Sequence, residues 1–135
     1  MRSCSQIKAL AKNGGVIGLS AMSQYISDGH AKPTIDDLIR HIDHIAELVG
    51  IDYVGLGPDH FEGEIWTDRG WDPAPGYLEG LYVGQSEGSA FVDGFEDITK
   101  FPTVTEALVR HGYSDKDIKK VLGENFIRVY RQVLG

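Results

Sequence analysis

The stretch LIRHIDHIAELVGIDYVGLGPD, residues 38–59, decides the fold. In its first half apolar residues recur at helical spacing. With the residues just upstream, Ile35, Leu38, Ile39, Ile42, Ile45, Ala46 and Val49 make one stripe. Thr34 stands where a cap belongs, Asp36 and Asp37 place negative charge in the first turn, and Gly50 ends the run, which predicts a helix over about 35–49. The second half, Tyr53 to Gly57, is apolar and glycine without alternation, the pattern of a parallel strand buried on both faces.

Upstream the same grammar repeats. SCSQIKALAKN, residues 3–13, reads as a short helix in which Ser3 and Gln6 form a capping box and Gly14 is the stop. GGVIGLSAM, residues 14–22, reads as a second strand buried on both faces, and SQYISDGHAKP, residues 23–33, as the loop after it. Helix, strand, helix, strand with short connections is parallel α/β architecture.

Downstream the rhythm breaks. Residues 60–95 hold seven glycines, two prolines and both tryptophans without periodicity, a loop long enough to be functional or an ordering surface. Helices resume at FPTVTEALVRHG, residues 101–112, with Thr103 and Glu106 as a capping box. They continue through SDKDIKKVLG, capped by Ser114, and ENFIRVYRQVLG. Two strands cannot cover each other's edges, so the long loop, further copies of the chain or a larger sheet must pair with them.

Bulk properties narrow the function classes. A chain of 135 residues suits one domain or a piece of one, and 41% hydrophobic with 24% charged residues argues against disorder. A net charge of −7 and a pI near 5.1 exclude non-specific binding to nucleic acid or anionic lipid. The lone Cys4 excludes an internal disulfide framework and is expected to pack at a helix start. No apolar run reaches the roughly 20 residues that span a bilayer, and MRSCSQIKAL lacks a signal-peptide core, so the expected location is cytoplasmic.

The chemistry concentrates after the second strand, at Asp59, His60, Glu62 and Glu64. A carboxylate just past the C-terminal end of a parallel strand stands where α/β proteins bind ligands. The competing reading is a turn aspartate that caps nearby amides. Gly55 and Gly57 favour the functional reading, because glycine in a strand marks close approach to a ligand or another chain. His60, Glu62 and Glu64 could complete a metal cluster with Asp59, but consecutive ligands on a loop are poorly preorganised. Tyr25 and His30, on the loop after the first strand, share that face of the sheet and could line a pocket. His41 and His44 are three apart, without the spacing of a zincin helix, and read as surface or interface residues.

With these residues in place, QIKALAKNGGVIGL, LIRHIDHIAELVGIDYVGLGPD and GFEDITKFPTVTEALVRHGYSDKDIKKVLGENFIRVYRQV together resemble the C-terminal part of the membrane (renal) dipeptidase family. The resemblance covers nearly the whole chain in order. It implies the C-terminal fragment of a (β/α)8 TIM-type barrel, residues 1–135 being a single partial domain. It also implies a metallopeptidase that cleaves dipeptides with metal-bound hydroxide at a two-zinc centre. Asp59 falls on the aspartate of the family's last strand turn, which implies a catalytic acid/base and substrate-binding role; Tyr25, from its place on the loop after the first strand, is a second candidate for substrate binding. The family's metal ligands lie upstream of the matched part, so the resemblance implies no zinc ligand in this chain and no activity from it alone. Arg2 does not match the family's substrate-binding arginine, and HFEG here replaces the family's Phe-Asp-Gly.

Two functions are therefore carried forward: part of a zinc dipeptidase, or a non-catalytic binding and assembly module that reuses the barrel fragment. Met1 directly before a capped helix motivates the second. Either way the exposed strands are expected to pair with another copy or with a complementing barrel half. Trp66, Trp71 and Tyr77 would cover what remains.

Overall fold

The computed structural model describes residues 3–27, 32–60 and 91–135. The elements run α1 (Cys4–Lys12), β1 (Ile17–Leu19), α2 (Ser23–Ile26), α3 (Ile35–Val49), β2 (Val54–Leu56), α4 (Phe101–Arg110), α5 (Asp115–Lys119) and α6 (Asn125–Leu134). Short 3-10 turns at Ile51–Tyr53 and Ile98–Lys100 introduce β2 and α4.

Local chemistry accounts for most boundaries. Ser3 accepts from the Gln6 amide while the Gln6 side chain accepts from the Ser3 amide, and this reciprocal pair starts α1. At α3 the box runs through Asp37, whose carboxylate accepts from the Thr34 N–H at 2.8 Å; that bond holds the Asp37 carboxyl below the usual carboxylate range. Ser114 accepts from the Asp117 amide and starts α5. The start of α4 corrects the sequence reading. Thr103 lies inside the helix, Pro102 sits in its first turn, and Asp97 caps the preceding 3-10 turn through the Thr99 amide.

The strands β1 and β2 pair in parallel, with Ile17 opposite Val54, Gly18 opposite Gly55 and Leu19 opposite Leu56. Helix α3 crosses over between them and buries Ile35, Leu38, Ile39, Ile42 and Ile45, each worth about 1.5–3 kcal/mol when fully withdrawn from water. Helix α4 adds Val104, Ala107 and Leu108 to the same core, and Ile118 and Val121 extend it.

Four expectations change here. The first strand is not fully buried: Ile17 and Leu19 are half-buried and Gly18 is exposed, and among the described residues no strand other than β2 pairs with it. Gly55 makes room for a helix rather than a ligand. A Cβ on Gly55 would stand 2.6 Å from the Phe126 ring and one on Gly18 would stand 3.2 Å from it, so α6 occupies that face of the sheet. Residues 91–95 are not loop surface. Phe91, Val92 and Phe95 are buried, with single bridges from Phe91 to Met22 and from Asp93 to Thr34. Cys4, expected to pack, is exposed.

Candidate functional site

Both strands deliver their C-terminal ends to one mouth. The backbone continues the pairing beyond the strands, with the Gly57 amide donating to the Leu19 carbonyl at 2.9 Å and the Ala21 amide to the Pro58 carbonyl at 3.1 Å. These bonds hold the two following turns side by side. A cavity of about 530 Å³ opens there, lined by Ser20 and Tyr25 from the first turn and by Pro58, Asp59 and His60 from the second, with Ile98 and Phe101 as its far wall.

Asp59 is exposed and stands at φ 64, among the described residues the one non-glycine in the left-handed region. Aspartate tolerates that conformation better than most residues, and such strain concentrates where a side chain must be aimed. Tyr25, 56% exposed, faces the same cavity from α2. The two residues singled out for substrate contact thus share one opening. His30, Glu62 and Glu64 lie outside the described residues, as do Trp66, Trp71 and Tyr77.

His60 is packed against the 91–95 segment. Its Nε2–H donates to the Phe95 carbonyl at 2.9 Å, and its ring meets Phe91 and Phe95 edge-on at 4.7 and 4.6 Å. The carbonyl assigns the proton to Nε2, so that nitrogen is no metal ligand. Nδ1 is buried without a hydrogen-bond partner among the described residues. His60 therefore anchors the 91–95 segment behind Asp59. His41 donates from Nε2 to the Ile26 carbonyl at 3.2 Å, and both His41 and His44 are half-buried along a trough beside β1 rather than turned fully outward.

Sequence reasoning missed Asn125. Buried in the first turn of α6, its Nδ2 donates to the Ile51 carbonyl at 2.7 Å and the Val54 carbonyl at 2.8 Å, fixing the base of β2. Arg128 does the same for both strand approaches, donating to the Gly14 and Asp52 carbonyls at 2.9 Å each and lying over the Tyr53 ring. No local motif announces either residue, since their partners lie more than 70 positions away in sequence.

Parallel strands with a carboxylate just past their C-terminal ends are the ligand-binding end of an α/β sheet, and a portion of a TIM-type barrel has this arrangement. The solved amidohydrolase from Pseudomonas aeruginosa superposes on 96% of this chain and 39% of its own, with a TM-score of 0.73 at 27% identity. Residues 5–79 and 83–134 match Membrane dipeptidase (Peptidase family M19), and the chain belongs to that family. Dipeptidase tcpJ of Claviceps purpurea (strain 20.1) is 28% identical over 92% of this chain, and Dipeptidase 3 of Rattus norvegicus is 26% identical over 94%. The chain spans 23% and 21% of the length of these curated relatives.

A metallopeptidase family implies a metal centre. Among the described residues no three His, Cys, Asp or Glu side chains gather where they could hold an ion. No helix of the described residues is long and apolar enough to cross a membrane.

Proposed function

We propose that this chain forms one wall of a dipeptidase centre, in which Asp59 manages the proton and Tyr25 contacts the dipeptide. The supporting observation is the strained Asp59 at the mouth, facing the cavity it shares with Tyr25. In this reading an Asp59 carboxylate oxygen takes a proton from the attacking water and returns it to the leaving amine. A residue with that duty must be solvent-accessible, aimed and held, and Asp59 is exposed and fixed between Pro58 and the anchored His60 ring. Zinc, implied by the resemblance, would be held by residues other than those described, and the chain alone is proposed not to turn over.

The test exchanges the matching segment of Dipeptidase tcpJ for this chain. The chimera is expected to hydrolyse an L,D-dipeptide, and Asp59→Asn is expected to lower kcat about 10²–10⁴-fold. A chimera indifferent to Asp59→Asn would remove the acid/base role. Zinc-dependent hydrolysis by the purified chain alone would remove the claim that it is one wall only.

A further inference from the structure

We propose that Ile98 and Phe101 form an apolar wall that selects dipeptides whose C-terminal residue carries an apolar side chain. This deepens, and rests on, the reading of Asp59 as the group that returns a proton to the leaving amine.

The two sides of the mouth cavity differ in chemistry. Its volume, about 530 Å³, lies within the range of small-ligand sites. Asp59 is the one carboxylate among its described lining residues, and Ile98 and Phe101 stand across from it. The charged neighbours of Ile98 in its 3-10 turn, Asp97 and Lys100, stay out of that lining. A single exposed isoleucine is ordinary on a protein surface. Ile98, however, is 56% exposed where it lines the cavity of the proposed centre, while Ile127, Tyr130, Val133 and Leu134 are exposed on α6, away from it.

The wall is held in place. The Asp97 carboxylate accepts from the Thr99 N–H at 2.7 Å and from the Thr99 hydroxyl at 2.5 Å, which fixes the turn that carries Ile98. The Phe101 ring meets the fully buried Phe95 ring edge-on at 5.1 Å. Phe95 also meets the His60 ring at 4.6 Å and accepts its Nε2–H at the backbone carbonyl. One buried residue therefore ties the wall to the turn that carries Asp59 and sets the spacing between them.

The position of Asp59 decides which residue of the dipeptide meets the wall. The leaving nitrogen is bonded to the Cα of the C-terminal residue, so a nitrogen at Asp59 brings that residue's side chain into the same cavity. An apolar side chain there leaves water against Ile98 and Phe101. A carboxylate side chain would lose hydration against the same wall and meet the charge of Asp59.

The chimera with Dipeptidase tcpJ tests the wall, and Ile98 carries the test because Phe101 also packs on the core. Ile98→Ala is expected to lower kcat/KM for L-Ala-D-Leu about tenfold, chiefly through KM. L-Ala-Gly, whose leaving residue has no side chain, should change by less than about twofold. Ile98→Lys is expected to move the preference from L-Ala-D-Leu toward L-Ala-D-Glu. Equal losses on L-Ala-D-Leu and L-Ala-Gly would make the turn merely structural and overturn the wall. A loss that follows the N-terminal residue, seen with L-Leu-Gly against L-Ala-Gly, would overturn the assignment to the leaving residue. A second readout needs no turnover. The Ile98 methyl resonance of the methyl-labelled chain is expected to shift with millimolar L-Ala-D-Leu and to stay with L-Ala-D-Glu; no difference between the two overturns the wall. An active chimera in which Ile98→Ala is unselective removes the wall and leaves Asp59 its role. A selective methyl shift beside an Asp59→Asn chimera of full activity does the reverse.

Discussion

The two ends of the same strands are built on opposite plans. At the base, Asn125 and Arg128 reach from α6 to four backbone carbonyls, and Lys120 pairs with Asp52 at 2.6 Å. At the mouth, Asp59 is exposed, conformationally strained and beside an open cavity. Side-chain hydrogen bonds to backbone carbonyls tie the base; a carboxylate on a left-handed backbone marks the mouth. A barrel architecture separates stability from chemistry in this way, so substitutions at the two ends should differ in sign as well as size.

The largest effect belongs to Asn125→Ala. It removes two hydrogen bonds from a residue 3% exposed and leaves the Ile51 and Val54 carbonyls without that donor. A loss of about 2–4 kcal/mol is expected, counting the stranded acceptors. Urea unfolding followed by circular dichroism measures it. A loss below about 0.5 kcal/mol would mean that water replaces the amide freely and that the base is not tied as described.

Next comes Gly55→Ala. Its Cβ would stand 2.6 Å from Phe126 Cε2, so the ring must shift, and a cost of about 1–3 kcal/mol is expected. Combining it with Phe126→Leu should recover part of that loss. Strict additivity in the double-mutant cycle would show that the ring was not the obstacle.

These two residues also show where the sequence stops being legible. Helix α3 could be read to its ends because its stripe, Thr34 and Gly50 are adjacent in sequence. The parallel pairing followed from two unalternating runs, and the α/β barrel class stands with the family match. Asp59 could be located because a residue after a strand needs no distant information. The purpose of Gly18 and Gly55 could not, because it lies in Phe126, more than 70 residues on. The packing of His60 was likewise out of reach, because Phe91 and Phe95 supply its surroundings from more than 30 residues away. The Thr103 and Glu106 pair mimicked a cap, and only Pro102 in the first turn gave the true boundary. Local chemistry wrote the elements; long-range packing assigned their glycines and histidines.

A smaller effect lies between the ends, where α3 meets the turn after α4. The Tyr113 hydroxyl donates to the Asp43 carboxylate, and Tyr113→Phe should cost about 1 kcal/mol at neutral pH. Burial first, and then that hydrogen bond, push the phenol above its ordinary value. A raised folded pKa means that the stabilisation is fully present below the unfolded value of about 10 and fades as pH rises beyond it. Urea midpoints of wild type and Tyr113→Phe should therefore converge above about pH 10, since only the wild type loses this contribution. A gap that stays constant to pH 11 would show that the phenol is not coupled to folding.

The smallest expected change separates the two ends most sharply, because it runs the other way. Asp59→Gly relieves a side chain held at φ 64, where glycine sits without a Cβ penalty. The gain is reduced by the greater freedom of glycine in the unfolded chain, leaving a net stabilisation of about 0–1 kcal/mol. No hydrogen bond from the Asp59 side chain to another described residue stands against it. The same substitution removes the carboxylate that the proposed centre uses, so the chimera should lose activity as it gains stability. Measured together, thermal unfolding and dipeptide hydrolysis decide the case. If Asp59→Gly costs more than about 1 kcal/mol, the side chain is holding the turn, and Asp59 is a turn aspartate that caps nearby amides.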